Sequence, residues 1–323
     1  MTAQPPELEV SDLKVSFMAR RGEVKAVDDV SFQVARGEIM GLAGESGCGK
    51  STTGLAVMRL IKPPGKIKEG KVVFEGDTDV LSLAEEQLRL FRWKKVSMVF
   101  QGAMNSLNPV MTVGSQIAEA INAHERVGDK EVQERVARLL EQVGIDAPRA
   151  RDYPHEFSGG MRQRAVIAMA LALNPDLLIA DEPTTALDVV VQKQILDLMI
   201  DMQRRLGLSM IFITHDLVAL SEFSDKVSVM YAGRIVEVAA TRDLYEEPLH
   251  PYTQGLLESL AGIATPGKKL WSIPGAPPDL ASIPKGCRFR ARCRYAFDRC
   301  AVEEPELLKV KDGRAVACHL VNR

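Results

Sequence analysis

Ile39-Met40-Gly41-Leu42-Ala43 runs directly into Gly44-Glu45-Ser46-Gly47-Cys48-Gly49-Lys50-Ser51, and that junction decides the fold. A short apolar run, then the spacing GxxxxGK[ST], then a helical stretch, reads as strand, phosphate loop, helix. The glycines let successive backbone N–H groups turn inward on an anion. The following helix, predicted from Ser51 to Leu60 and stopped by Pro63-Pro64, adds the positive end of its dipole. Lys50 is placed to reach β- and γ-phosphates, Ser51 to give its hydroxyl to Mg2+, and Thr52 continues the phosphate-binding set.

Further along, Leu177-Leu178-Ile179-Ala180 is a buried strand that ends in Asp181-Glu182. Phosphoryl transfer to water needs charge neutralisation and a positioned nucleophile, so Asp181 is assigned to Mg2+ and Glu182 to the attacking water as general base. Strand and helix patterns alternate here: a strand at Val96 to Phe100, a helix from Met161 to Leu173, a helix from Val189 to Leu206 closed by Gly207, and a strand from Met210 to Thr214. Such alternation predicts a parallel sheet covered on both faces. Leu8 to Phe17 and Val30 to Val34 alternate apolar and polar residues, the mark of a small antiparallel sheet at the N-terminus. Val227 to Tyr231 and Arg234 to Val238 read as a hairpin through Ala232-Gly233, and Asn105 to Pro154 reads as a helical insertion. The Pro- and Gly-rich stretch from Ala264 to Pro284 marks a linker.

Phe157-Ser158-Gly159-Gly160-Met161-Arg162-Gln163-Arg164 adds a second helix N-terminus suited to phosphate, and with it the sequence resembles an ATP-binding cassette (ABC) ATPase. The resemblance implies roles for further residues. Ser158, Gly159, Gly160 and Met161 contact the γ-phosphate of ATP held by a partner's phosphate loop. Gln101 is the Q-loop residue, a further metal contact and part of the catalytic set with Glu182 and His215, the switch histidine; Asp188 closes the D-loop, and Phe17 stacks on adenine. The expected fold is an α/β ABC-type P-loop NTPase with a parallel core sheet, an N-terminal antiparallel β subdomain and a helical subdomain at about 102–160, all within residues 1–262. A small cysteine-containing extension occupies 263–323. A kinase or GTPase switch leaves Ser158 to Met161 unexplained, and a soluble ABC ATPase acting on nucleic acid or ribosomes would show coiled-coil insertions or a second cassette.

The resemblance narrows to the ATPases of oligopeptide and dipeptide importers through Met161, Ser106-Leu107-Asn108-Pro109, Glu247-Pro248-Leu249-His250-Pro251-Tyr252-Thr253 and the tail stretch Ile273 to Pro278. Arg294 and Gly102-Ala103 depart from that group's usual residues. It implies two transmembrane permease subunits, a second and related ATPase, an extracytoplasmic solute-binding protein acting indirectly, and a peripheral place on the cytoplasmic face of the membrane. Nickel, sugar or other solutes are the alternative cargo. No stretch approaches the ~20 apolar residues of a membrane helix.

Four of the five cysteines, Cys287, Cys293, Cys300 and Cys318, fall in the tail at spacings wider than the usual zinc ribbon, and they suit either Zn2+ or a [4Fe–4S] cluster. In the resembling importers this region is a cluster site. His319 is a possible substitute ligand, and Arg288, Arg290, Arg292, Arg294 and Arg299 are expected to offset the thiolate charge. From residue 263 onward 12 Lys/Arg face 6 Asp/Glu, while the whole chain carries a net charge of -2. Without interleaved aromatics that basic excess reads as solvated surface, not a nucleic-acid site.

Overall fold

The computed structural model of the chain describes residues 5–20, 22–264, 272–310 and 313–321. They form two compact units, one of residues 1–81 with 213–323 and one of 82–212. Parallel and antiparallel pairing both occur, in a mixed α/β fold.

In the first unit, β1 (Leu8–Ala19) pairs antiparallel with β2 (Gly22–Val34), as the alternation predicts. The antiparallel sheet is wider than the alternating stretches suggest. It also takes in β4 (Gly65–Phe74) and β5 (Thr78–Asp79), in the order β2-β1-β4-β5. A second sheet runs, within this unit, through β11 (Leu308–Lys309), β12 (Ala315–Val316), β10 (Arg234–Ala240), β9 (Lys226–Tyr231) and β3 (Ile39–Ala43), in that order. Its strand β3 (Ile39–Ala43) is buried at every position and lies parallel to β9 (Lys226–Tyr231), with Gly41 opposite Val227. β9 turns back through Ala232 and Gly233, both at positive φ, into β10 (Arg234–Ala240). Around these strands lie α1 (Lys50–Val57), α7 (Leu217–Phe223), α8 (Thr241–Glu246) and α9 (Pro251–Ala264).

The linker expected from Ala264 to Pro284 falls partly outside the described residues, and 272–284 carry no helix or strand. Beyond it, α10 (Asp298–Val302) precedes β11 (Leu308–Lys309) and β12 (Ala315–Val316), and β12 pairs antiparallel with β10 through Glu237 and Val316. The cysteine-bearing tail thus belongs to the same compact unit as the phosphate loop. A charged pair secures that edge: Glu237 is fully buried, with Arg314 3.7 Å away and the N–H groups of Leu249 and His250 donating to its carboxylate at 2.8 and 2.9 Å.

The second unit holds β6 (Val96–Val99) parallel to β7 (Leu177–Asp181), and β8 (Ser209–Thr214) begins there, in the order β8-β7-β6. Both β6 and β7 are buried throughout, so the apolar runs of the sequence become interior strands. Its helices are α2 (Glu85–Lys94), α3 (Val113–Asn122), α4 (Asp129–Gln142), α5 (Gly159–Ala170) and α6 (Val189–Leu206). On α4 the buried residues are Val132, Val136, Leu139 and Leu140, one face of the helix, and Gly144 at φ 72° follows its end. Burying each such side chain contributes roughly 1.5–3 kcal/mol.

Candidate active site

The phosphate loop owes its curl to positions where only glycine fits. A Cβ on Gly44 would stand 2.2 Å from the Met230 carbonyl oxygen, and one on Gly49 would stand 2.2 Å from that of Ala26. Within the curl, Lys50 is buried and its Nζ donates to the Gly44 carbonyl at 2.7 Å and to that of Glu45 at 3.1 Å. The lysine is therefore held at the centre of the loop by neutral acceptors, which a phosphate can displace. Gly49 begins α1 with no side-chain cap, so the first-turn amides face the loop. Cys48 lies buried with its Sγ 3.9 Å from Lys50 Nζ; burial pushes its thiol pKa up, against the pull of that ammonium. Ser46 and Gly47 are exposed, and Ser51 and Thr52 are half-buried at the start of α1.

Also in this unit, His215 stands exposed just past β8. The turn around it is fixed, because Asp216 donates its N–H to Thr214 Oγ1 at 3.0 Å and caps α7 through Val218 and Ala219. Phe17 sits on β1 between Val24 and Gly65, with its ring so close over Gly65 that a Cβ there would meet it at 2.5 Å.

The second unit brings its own set together. β7 ends on Asp181, which is 3% exposed, and Glu182 follows at φ 46°. Gln101 Nε2 donates to Glu182 Oε2 at 2.8 Å and Thr185 Oγ1 donates to the same oxygen at 3.0 Å. Ser158 caps α5, accepting from the Met161 N–H at 3.3 Å, and Asp188 caps α6, accepting from the Val191 N–H at 3.0 Å. These two helix starts are neighbours: a Cβ on Gly160 would meet Val191 at 2.7 Å, and Gly159 lies beside Leu187. Arg149 supports the Ser158 segment from below, with its guanidinium 5.0 Å from the Phe157 ring centre and donating to the Glu156 carbonyl at 3.1 Å. Sequence reading missed Arg149, because nothing in its neighbourhood along the chain distinguishes it from a surface charge.

The tail thiols of Cys287, Cys293, Cys300 and Cys318 line one small cavity with His250, Phe289 and His319. All are free thiols. Burial pushes Cys287 up to about 11 and also raises Cys293 and Cys318, with the neighbouring cysteines adding to each rise. His319 Nε2 is bonded to the Glu303 carbonyl at 2.9 Å. The arginines meet the expectation only in part: Arg294 pulls the Cys293 thiol down against the larger rise from burial. Arg288 pairs with Asp28 and Glu304, Arg292 with Glu45, Arg294 with Glu258 and Arg299 with Glu303. Carboxylates closer at hand claim them, and Arg290 alone among the five lines the thiol cavity. The departure at Arg294 from the usual residue thus has a partner, Glu258 on α9.

A family profile described as "ABC transporter" matches residues 27–185, and one described as "Oligopeptide/dipeptide transporter, C-terminal region" matches residues 236–300. The oligopeptide transport ATP-binding protein OppD of Bacillus subtilis is 49% identical over 319 residues, covering 98% of this chain and 89% of that protein. The dipeptide transport ATP-binding protein DppD of Haemophilus influenzae is 46% identical, covering 97% and 94%. Among solved structures, the ATP-binding cassette MJ0796, as a dimer in a post-hydrolysis state bound to ADP and Pi, superposes with a TM-score of 0.65 at 25% identity, over 73% of this chain and 99% of that one.

Proposed function

The chain belongs to the ABC transporter ATP-binding proteins of the oligopeptide and dipeptide group, and from that membership we propose that it hydrolyses ATP to drive import of short peptides through a membrane permease. The observation that carries the reading is the presence in one chain of both a phosphate loop around Lys50 and a separate phosphate-suited helix start at Ser158-Gly159-Gly160, with the Gln101–Glu182 pair in the unit of the latter. A chain with both ends is built to share nucleotides with a second ATPase. Each loop holds one ATP, and Ser158 to Met161 and Asp188 complete the partner's site.

In this reading ATP displaces the Gly44 and Glu45 carbonyls from Lys50, and the N–H groups from Gly47 to Thr52 take the phosphates. Mg2+, when bound, neutralises charge on the β- and γ-phosphates, and Ser51, Gln101 and Asp181 are the residues that would hold it. Glu182 takes a proton from the attacking water; its bond from Gln101 Nε2 orients the carboxylate and links it to the segment after residue 101. His215 steadies the γ-phosphate, and Phe17 carries the adenine. The partners are two permease subunits and a related, non-identical ATPase, with a solute-binding protein outside, and the chain sits peripherally on the cytoplasmic face. No described helix is long and apolar enough to cross a membrane.

The four tail thiols line one small cavity, and in this reading they hold a metal centre, a [4Fe–4S] cluster with zinc as the alternative. Such a cluster would clamp the tail between Cys287 and Cys318. An anaerobic preparation should be brown and hold iron and acid-labile sulfide; stoichiometric zinc in a colourless protein would replace the cluster.

Uptake decides the cargo. Proteoliposomes holding this chain with its permease and partner ATPase should accumulate a labelled di- or oligopeptide only when ATP is supplied. Accumulation of nickel or a sugar without peptide would redirect the assignment.

A further inference from the structure

Glu45, the second residue of the phosphate loop, is held from three sides. Its N–H donates to Tyr252 Oη at 2.9 Å and its carbonyl accepts from Lys50 at 3.1 Å. Its carboxylate accepts two parallel bonds from Arg292, 2.6 Å from Nη1 and 2.9 Å from Nη2. A paired guanidinium–carboxylate bond fixes orientation as well as charge. Arg292 has no other pose open to it, since its Nε donates to the Pro274 carbonyl at 2.9 Å, its plane lies 5.8 Å from the Tyr231 ring centre, and its side chain is 5% exposed.

The origin of Arg292 gives the pair its meaning. It lies in the tight turn Arg290–Arg292, where the Cys287 carbonyl accepts from the Arg290 N–H at 3.1 Å and the Cys293 N–H donates to the Arg290 carbonyl at 3.2 Å. Two of the four clustered cysteines therefore bracket the turn that aims Arg292 at the phosphate loop. The contact joins positions 247 residues apart in sequence.

We propose that Arg292 is a positioning residue for ATP: through Glu45 it holds the phosphate loop in its binding curl and cancels a carboxylate that would otherwise face the polyphosphate, so the cysteine turn acts on nucleotide affinity. The inference rests on the ATP-binding role of the loop given above. Two effects are separable by chemistry. Removing Arg292 alone leaves an unpaired carboxylate beside a ligand of several negative charges, and removing both partners leaves none.

Titration of the full-length chain with a fluorescent ATP analogue tests this in wild type, R292Q, R292K, E45Q and the double variant E45Q/R292Q. R292Q should weaken binding about tenfold, as loss of a close charge pair does, with R292K recovering part of it by restoring charge without the paired geometry. In the E45Q background the same R292Q change should cost little. C293S should weaken binding with Glu45 present and do so less in the E45Q background. In steady-state hydrolysis with the partner ATPase, the R292Q loss should fall on KM more than on kcat. R292Q binding ATP as wild type does, or an equal loss with and without Glu45, would overturn the proposal; if R292Q does not fold, R292K compared across the two backgrounds decides the matter in the same way. A C293S loss equal in both backgrounds would sever the turn from the loop. Wild-type chain that binds no ATP at all would overturn both this and the reading beneath it.

Discussion

Glu182 occupies the left-handed region at φ 46°, where a side chain with a Cβ costs backbone energy. That cost sits at the end of a strand buried throughout, and the residue is gripped by Gln101 and Thr185 on one carboxylate oxygen. Such a site matches a group held in place for chemistry. Glu182→Gln keeps the size and the backbone but removes the base, so phosphate release should fall ~10²–10⁴-fold while ATP binding persists. Near-normal release would remove Glu182 from the mechanism. Gly44→Ala makes a different point, since its new Cβ would stand 2.2 Å from a backbone oxygen that cannot swing aside. Denaturant titration should show lower stability and nucleotide titration a weakened site; an alanine variant equal to wild type in both would contradict the geometry. These residues were legible because phosphate loops and strand-end carboxylates are local in sequence. The Arg292–Glu45 pair was not, because its partners are 247 residues apart and each is read with its own neighbours, Glu45 with the phosphate loop and Arg292 with the cysteines.

Among elements, those marked by an apolar run, a stripe or a motif were plain in the sequence, and β4 and α2, with few buried positions, were missed. The helix predicted over Val189 to Leu206 is α6, and Gly207 at φ 65° ends it as expected. Strand β4 went unread because most of Gly65–Phe74 is charged or glycine and few of its positions are buried. Helix α2 buries only Leu88 and Phe91, and its helical conformation breaks at Arg92 and Trp93. On α3 the structure shows an organiser of the loop after Gln101 that has no signature along the chain. Gln116 is buried and accepts from the Asn108 N–H at 2.8 Å while donating to the carbonyls of Asn108 and Met111 at 3.0 and 3.1 Å. It holds a loop that leaves Val110 79% exposed, and we propose this loop as a contact with the permease. Gln116→Leu should loosen this loop and uncouple the two activities: ATP hydrolysis continues in proteoliposomes while peptide uptake drops. Uptake and hydrolysis falling in equal proportion, or neither falling, would take the loop out of the coupling.

On the scale of the whole molecule, the phrase Glu247 to Thr253 was readable only as a mark of kinship, yet its residues now have physical tasks. Tyr252 takes the Glu45 N–H, and His250 is buried with its Nδ1 accepting from the Tyr252 N–H at 3.0 Å. Burial drives the His250 pKa down to about 3, so the folded protein keeps this imidazole neutral. The unfolded chain takes up that proton below its ordinary value of 6.5, so stability rises with pH across the range between the two and is lost as pH falls. Between pH 6.5 and about 5, above the carboxylate range, wild type should lose more stability than His250→Gln; parallel curves would show that His250 is not buried neutral. The division of labour between a phosphate loop in one unit and the Ser158 helix start in the other leads to the assay that bears on the central claim. Phosphate release per mole of chain should be low in dilute solution and rise with its concentration, and rise further when the related ATPase is added, because each site needs a second chain to complete it. A specific activity that stays high and constant down to concentrations where the chain is strictly monomeric would contradict the account.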